Sequence, residues 1–210
     1  LQDLNTALSM KPPHLSWYQL TLEPNTVFYK YPPTLPDDDI TWEIQAQGDH
    51  LLSTAGYHNY EVSAFSTPGH ECQHNLNYWS FGDYLGIGAG AHAKITQLDT
   101  MLIQRLWKTR NPKDYLNQDK QYLAGSHVLR PNEIPFEYML NRLRTFEVPN
   151  FDEYIQRTGL PLSSISVILK SAQKQGFIDL QKNGLKLRPL AKRFLNDVVQ
   201  LFLRDEITND

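Results

Sequence analysis

Between residues 14 and 65 the chain alternates two kinds of segment, and this alternation limits the folds open to it more than any single motif does. Residues 14–22 (HLSWYQLTL) are rich in aromatic and β-branched side chains and are bounded by prolines, so they read as a buried strand. Residues 23–36 form a proline-bearing loop. Asp37, Asp38 and Asp39 then supply an N-cap and first-turn acids for a helix that runs to about Thr54 and is ended by Gly56. Residues 57–65 (YHNYEVSAF) read as a second strand. Strand, helix, strand in that order predicts parallel pairing through a crossover, the unit of α/β sheets and barrels.

The flanking segments extend this pattern. Leu1, Leu4 and Leu8 have helical spacing, and Pro12 and Pro13 stop that helix after Met10. The chain opens at Leu1 without an initiator methionine or a basic region followed by an apolar run, and is expected to enter a longer protein in mid-fold. Residues 93–110 read as a β-hairpin around Asp99 and Thr100, residues 111–130 are polar and undecided, and a helix is expected over 131–144. From residue 148 the character changes: helices over 151–158 and 162–175, strands over 177–180 and 185–187 joined by Lys182-Asn183-Gly184, and a last helix over 189–204. Helix, helix, Asn-Gly hairpin, helix is a winged-helix pattern.

Composition narrows the function classes. Twenty Lys and Arg stand against 23 Asp and Glu, a formal charge of −3, which argues against a protein whose main work is neutralising phosphates. Residues 148–210 carry nine basic and seven acidic side chains, and the helix over 162–175 offers only Lys170 and Lys174. The terminal module therefore reads as structural or protein-binding, with no nucleic-acid partner expected. No apolar run approaches the roughly 18 residues of a membrane span. The single cysteine, Cys72, fits a reducing, cytoplasmic setting and excludes a disulfide framework, a Cys₄ zinc site and a Cys-ligated iron–sulfur cluster built from this chain alone.

Three constellations carry possible chemistry. If residues 70–74 are extended, His70, Cys72 and His74 share one face and could form a metal site; otherwise His70 sits in the loop opened by Pro68-Gly69. His74 with Tyr78 and Trp79 offers an imidazole able to ligate haem iron beside aromatics able to pack on a porphyrin, or else a loop histidine beside core aromatics. Gly86, Gly88 and Gly90, followed by Ala91 and His92, allow either close approach of backbone to a ligand or a tight strand end. The run is neither a P-loop nor a GxGxxG dinucleotide motif. Glu61 and Asp83 receive no catalytic role, because nothing in the sequence sets their separation.

Residues 13–26 (PHLSWYQLTLEPNT), 60–65 (YEVSAF), 74–79 (HNLNYW) and 82–92 (GDYLGIGAGAH) together resemble the oxygen-independent coproporphyrinogen III oxidase family and its relatives. The HNxxYW element points to the HemW-like branch of haem chaperones. The resemblance implies the late strands and helices of a partial (β/α)₆ radical S-adenosylmethionine barrel over residues 1–110. A connecting helical segment over 111–147 and a winged-helix-like domain over 148–210 would follow. It implies haem or porphyrin as ligand, haem-accepting proteins as partners, and S-adenosylmethionine with a 4Fe–4S cluster in the full-length parent. His74, Tyr78 and Trp79 become the haem-binding candidates. Thr21, Gly86, Gly88, Gly90 and Ala91 are expected near S-adenosylmethionine through backbone groups. The family's CxxxCxxC loop does not occur in this chain. The chain is therefore expected to be the C-terminal half to two-thirds of such a protein, inactive alone in reductive cleavage of S-adenosylmethionine. An open barrel edge predicts self-association.

Overall fold

The computed structural model describes residues 1–146 and 149–203, apart from the Arg193 side chain. The chain divides into two compact units, Leu1–Cys72 and Gln73–Asp210.

The first unit is built from helices α1 (Gln2–Ser9), α2 (Val27–Lys30) and α3 (Asp38–Thr54) and strands β1 (His14–Ser16), β2 (His58–Glu61) and β3 (Ala64–Ser66). The Asp37 carboxylate accepts from the Ile40 amide at 2.8 Å, the N-cap expected of an Asp run, and Gly56 turns the chain out of α3 at φ +86°. Helix α2 lies in the proline-bearing loop, where Thr26 Oγ1 accepts from the Tyr29 amide at 3.1 Å.

The sheet differs from the expected crossover. Its strand order is β1-β3-β2 and each neighbouring pair is antiparallel, with Leu15 and Asn59 both opposite Phe65. Residues 57–65 are thus a hairpin rather than one strand. The Asn59 side chain donates to the Glu61 and Ala64 carbonyls at 2.7 and 3.0 Å, replacing ladder bonds and closing the turn at Val62-Ser63. Consequently β1 and β2 run in the same direction, as a crossover requires, but β3 lies between them. Strand β1 is also shorter than expected. Beyond the Trp17 amide, which donates to Ser63 O at 2.8 Å, the chain leaves the sheet and Thr21 lies in exposed coil. The outer edge of the Trp17 ring packs on α3 at Gly48, where a Cβ would fall 2.0 Å from it. The buried core of this unit is Leu4, Leu52, Tyr57 and Phe65.

The second unit opens with α4 (Gln73–Trp79). A three-stranded antiparallel sheet follows, in the order β4 (His92–Gln97), β5 (Leu102–Lys108), β6 (Leu123–Val128), with α5 (Pro112–Tyr115) between the last two. The expected hairpin is present, registered from His92 opposite Trp107 to Gln97 opposite Leu102. Strand β6 arises from the stretch that reads as undecided. Then come α6 (Ile134–Arg142), α7 (Phe151–Thr158), a 3₁₀ turn at Leu162–Ser164 and α8 (Ser166–Lys174). Strands β7 (Ile178–Gln181) and β8 (Gly184–Leu187) and helices α9 (Pro189–Arg193) and α10 (Leu195–Gln200) complete the unit. The expected single last helix is split at Phe194 (φ −114°, ψ 42°), and its expected end at Arg204 lies outside the described residues.

Gly159 ends α7 in the left-handed conformation and Gly176 follows α8 at φ +80°, both helix stops. The Asn183 side chain donates to Asp152 at 2.9 Å, pinning the hairpin tip to the start of α7. Helices α6, α7, α8 and α10 and the inner face of β7–β8 bury one continuous core that includes Tyr138, Leu143, Tyr154, Leu169, Val198 and Phe202. Among the described residues no helix is long and apolar enough to cross a membrane.

Candidate functional site

The metal reading of residues 70–74 fails on local structure. His70 and Cys72 lie in irregular chain, whereas His74 sits on α4, so the alternation that would align three ligands does not exist. His70 Nδ1 is 3.1 Å from Thr67 Oγ1 and 3.2 Å from Pro68 O, in the turn opened by Pro68-Gly69. Among the described residues no three His, Cys, Asp or Glu side chains are grouped to hold a metal ion.

On α4 the i, i+4 spacing of His74 and Tyr78 brings their rings edge to face, with centroids 4.6 Å apart at 80°. Tyr78 in turn meets Tyr84, 4.4 Å away at 60°. The loop between them is shaped by Asn77 and Gly82. Asn77 Nδ2 donates to Asp83 O at 3.0 Å, and the Gly82 amide donates to Asn77 O at 2.8 Å. A Cβ on Gly82 would meet the Asn77 side chain at 2.2 Å, so the close approach requires glycine. Tyr84 is held from both ends. Its backbone exchanges hydrogen bonds with Lys94 at 3.0 and 3.1 Å, and its hydroxyl accepts from Arg105 Nη1 at 2.9 Å. Arg105 in turn pairs with Glu137 on α6. The result is an aromatic ladder, His74–Tyr78–Tyr84, whose outer rung is an exposed imidazole and whose inner rung is fixed by an ion pair.

Asp83 has a structural task. It accepts from Lys94 Nζ at 2.7 Å and from the Thr96 amide and hydroxyl at 2.7 and 2.8 Å. Lys94 is only 2 % exposed and also donates to Phe81 O at 3.0 Å, with its ammonium 4.1 Å from the Phe81 ring centroid. Burial disfavours ionised Asp83, but the hydrogen bonds from Lys94 and Thr96 outweigh it and hold the carboxyl below its usual pKa. Burial lowers Lys94 as well, against the pull of Asp83. This network fastens the α4–β4 loop to the sheet. Glu61, the other acid considered, is a buried residue of the first unit.

Trp79 is turned about 140° around the helix from His74, and its ring is met by Arg144, Cζ 5.1 Å from the centroid, in the turn after α6. The glycine run forms a tight turn against the end of β5. The Gly88 amide donates to Tyr115 OH at 3.1 Å, the Gly90 amide to Thr109 O at 2.9 Å and the Ala91 amide to Gly88 O at 3.2 Å. Gly88 and Gly90 take φ +110° and +72°, and a Cβ on Gly86 would lie 2.3 Å from His92 O. Thr21 belongs to the first unit and the glycine run to the second.

Of the predicted site residues, then, His74 and Tyr78 are brought into contact. Tyr84, Arg105 and Glu137 complete the ladder but carry no signal in the sequence beyond Tyr84's place in the GDYLGIG segment. An exposed imidazole at the end of a braced aromatic ledge can ligate a metal centre and support a flat ring beside it.

Comparison with known proteins finds relatives over nearly the whole chain. The chain is 45 % identical over 205 residues to heme chaperone HemW of Escherichia coli, covering 98 % of this chain and 53 % of that protein. It is 45 % identical over 206 residues to heme chaperone HemW of Haemophilus influenzae, again 98 % of this chain and 53 % of the relative. At 28 % identity over 221 residues it matches the radical S-adenosyl methionine domain-containing protein 1 of Dictyostelium discoideum, covering 91 % of this chain and 50 % of that protein. Among solved structures, coproporphyrinogen III oxidase HemN of Escherichia coli, a radical SAM enzyme, superposes with a TM-score of 0.69 at 14 % identity. That likeness covers 95 % of this chain and 50 % of the other. No protein-family model matches the chain. The chain is thus a homologue of proteins named heme chaperone HemW and has an α/β fold similar to that of HemN. It spans about half the length of the curated relatives it matches.

Proposed function

We propose that this chain is the haem-handling part of a HemW-like protein, that His74 is the axial ligand to haem iron, and that Tyr78 supports the porphyrin beside it; Trp79, expected to share that role, is turned away from His74 on α4 and packs against Arg144 instead. The observation that carries the reading is the exposed His74 imidazole at the tip of the His74–Tyr78–Tyr84 ladder, in a chain 45 % identical to heme chaperones. Haem is cargo here, passed to haem-requiring proteins in the cytosol. The terminal part, residues 148–210, is read as a winged-helix-like domain that meets protein partners rather than nucleic acid. Residues 1–110 are read as late elements of a partial (β/α)₆ barrel. Thr21 and the backbone of Gly86, Gly88, Gly90 and Ala91 would lie towards S-adenosylmethionine in the whole protein. A cluster bound by cysteines does not fit the residues of this chain, which has one cysteine, and no step is derived through it.

Titration with haem tests the reading. The wild-type chain should give a shifted, saturable Soret band, and His74→Ala should abolish the low-spin signature. An unchanged spectrum in His74→Ala would sink His74 as ligand and move attention to Cys72 or His70. The second reading, oxidative decarboxylation of coproporphyrinogen III, is favoured by the fold similarity to HemN alone. Turnover of coproporphyrinogen by a full-length protein containing this chain would establish it. Self-association follows from the apolar side chains that the first unit exposes, including Tyr18 at 67 %, Tyr31 at 66 % and Trp42 at 50 %. Light scattering that shows only monomer at high concentration would overturn it.

A further inference from the structure

We propose that His14, Tyr60 and His58 form a proton-gated clasp on segment 67–72, closed at neutral pH and opened by acid; as a regulation of the haem site it rests on the haem-binding reading. Strand register places the parts. His14 on β1 and His58 on β2 both lie opposite Ser66 on β3, so the two imidazoles stand on one face of the sheet. Tyr60 stands beside both. Its hydroxyl is 2.8 Å from His14 Nε2, and its ring centroid lies 5.7 Å from that of His14 and 6.4 Å from that of His58. The chain that leaves β3 comes back to these side chains. The Cys72 amide donates to Tyr60 OH at 3.2 Å, and Glu71 meets His58 Nε2 at 2.8 Å. The last two residues before α4 are thus tied to the sheet by side chains, and His74 follows Cys72 two residues later.

A single proton decides the His14 branch. Tyr60 accepts from the Cys72 amide and gives its own hydrogen to Nε2 of a neutral His14. A protonated imidazole carries hydrogen on both nitrogens and has no lone pair to offer. Its Nε2–H then competes with Cys72 for the Tyr60 oxygen and takes this acceptor from the phenol proton, in a residue only 7 % exposed. Burial lowers the pKa of His14, so the folded clasp disfavours the charged ring. The closed state therefore has its full stability above the ordinary value of 6.5 and loses it as pH falls below. The neighbouring groups do not oppose the opening of this branch. His58 gains charge in acid and holds Glu71 as an ion pair. A backbone hydrogen bond above all, with His58, keeps the Glu71 carboxyl below its usual range and so ionised. His70 bonds within its own turn, to Thr67 and Pro68, and Glu61 lies buried next to Tyr60 at the end of β2. Acid thus frees Cys72 while Glu71 stays tethered, and the chain loosens just before His74.

Amide hydrogen exchange on the full chain reads the clasp without haem. The protection factor of the Cys72 amide, which corrects for the intrinsic rate, should fall about tenfold in wild type between about pH 7.5 and about pH 5. His14→Gln puts an uncharged acceptor near the place of Nε2 and should keep the amide protected at both. Tyr60→Phe removes the hydroxyl and should leave it exchanging fast at both. Equal protection of the wild type at the two pH values, or a fall in His14→Gln as large as in wild type, overturns the clasp. The His14 titration followed by nuclear magnetic resonance should share its midpoint with the loss of Cys72 protection; separate midpoints overturn the clasp even if a variant fails to fold. Haem titration at the same two pH values tests the regulation. His74 protonation weakens haem in both proteins, so His14→Gln should retain a few-fold more affinity than wild type in acid. Equal losses overturn the link to the haem site. Absence of haem binding by the wild-type chain overturns the haem reading, and the exchange data then judge the clasp by themselves.

Discussion

The two units differ in how completely they close over their own apolar surface. The second buries a connected cluster of 17 side chains among the described residues, drawn from helices α6–α10, both sheets and the α4–β4 loop. In the first, the buried cluster is four side chains, while Tyr18, Val27, Phe28, Tyr29, Tyr31 and Trp42 all stand at least half exposed. Burial of apolar area is the main favourable term in folding. The second unit can therefore carry its own stability, whereas the first leans on a few contacts around Trp17 and Gly48. Exposed aromatics of that kind mark a surface suited to covering by something else. The candidate haem ligand sits on the well-built unit, which suits a ladder that must hold its ring orientations still.

The sharpest way to break the comparison is to remove a central side chain from each unit. Tyr138 is fully buried, edge to face with Phe81 at 5.6 Å and Tyr154 at 5.1 Å. Tyr138→Ala should cost about 3–5 kcal/mol in urea unfolding, and Phe65→Ala in the first unit should leave the second unit's transition in place. The Tyr138 hydroxyl has no hydrogen-bond partner, and burial, with Glu153 nearby, pushes its pKa upward. Tyr138→Phe should therefore be neutral or stabilising by up to about 1 kcal/mol. A loss in Tyr138→Phe as large as in Tyr138→Ala would show that the hydroxyl is satisfied and the packing argument wrong. Native-state hydrogen exchange should find the amides of β1–β3 opening at lower free energy than those of β7–β8.

The same contrast governs what could be read in the sequence. The second unit was largely legible: α7, the β4–β5 hairpin, the Asn183-Gly184 turn and the glycine stop at Gly176 follow from local periodicity and turn chemistry. In the first unit the Asp37 cap and the Gly56 stop were equally plain. The hairpin at Val62-Ser63 was not, because Val62 favours strand, Ser63 alone is a weak turn signal, and the turn is closed by the side chain of Asn59. Lys94 reads as an outward residue of a strand, since lysine is almost never fully buried unless paired. Its partner Asp83 lies eleven residues back, across a loop whose path the sequence does not give. The ladder was half legible, since His74 and Tyr78 share a helix face. Tyr84 joins it only through the chain reversal at Gly82.

Lys94 offers the next test. Lys94→Met removes the partner of Asp83 and the donor to Phe81 O, and should destabilise the second unit by about 2–4 kcal/mol, short of a fully buried pair because Asp83 is itself 38 % exposed. The variant should also loosen Tyr84, whose backbone pairs with residue 94, and so broaden the Soret band of bound haem. Pairing Lys94→Met with Asp83→Asn should recover part of the loss. Full additivity of the two would mean that the groups do not interact.

Gly48→Ala brings the comparison back to the first unit with a smaller effect. Alanine gains about 1 kcal/mol of helix propensity over glycine inside α3, but its methyl would lie 2.0 Å from the Trp17 ring. Displacement of that ring opens the contact on which the small core depends, so the net change should be a loss of about 1–2 kcal/mol with a red shift of tryptophan emission. A gain in stability would mean that Trp17 swings away freely.

The smallest effect is set by pH. Glu133, just before α6, accepts from the Arg130 side chain at 3.1 Å and amide at 2.6 Å and from His127 Nε2 at 3.0 Å. The Arg130 side chain above all, with its amide and His127, outweighs partial desolvation and lowers the carboxyl from 4.5 to about 2. A carboxyl whose folded pKa is depressed stabilises the fold fully above its unfolded value and loses that contribution as pH falls through the folded one. The stability from Glu133 should thus be intact above about pH 4.5 and be withdrawn between there and pH 2. Glu133→Gln should lower the second unit's stability at pH 7 and flatten its acid limb over that window, so that wild type and variant converge near pH 2. The first unit should respond differently. His58 and Glu71 are bonded there at 2.8 Å, and the shift of Glu71 comes chiefly from a backbone hydrogen bond. Its own depressed carboxyl should give an acid limb that Glu133→Gln leaves untouched. Parallel acid curves for wild type and Glu133→Gln would remove Glu133 as the anchor that sets where α6, and with it Glu137 and the inner rung of the ladder, begins.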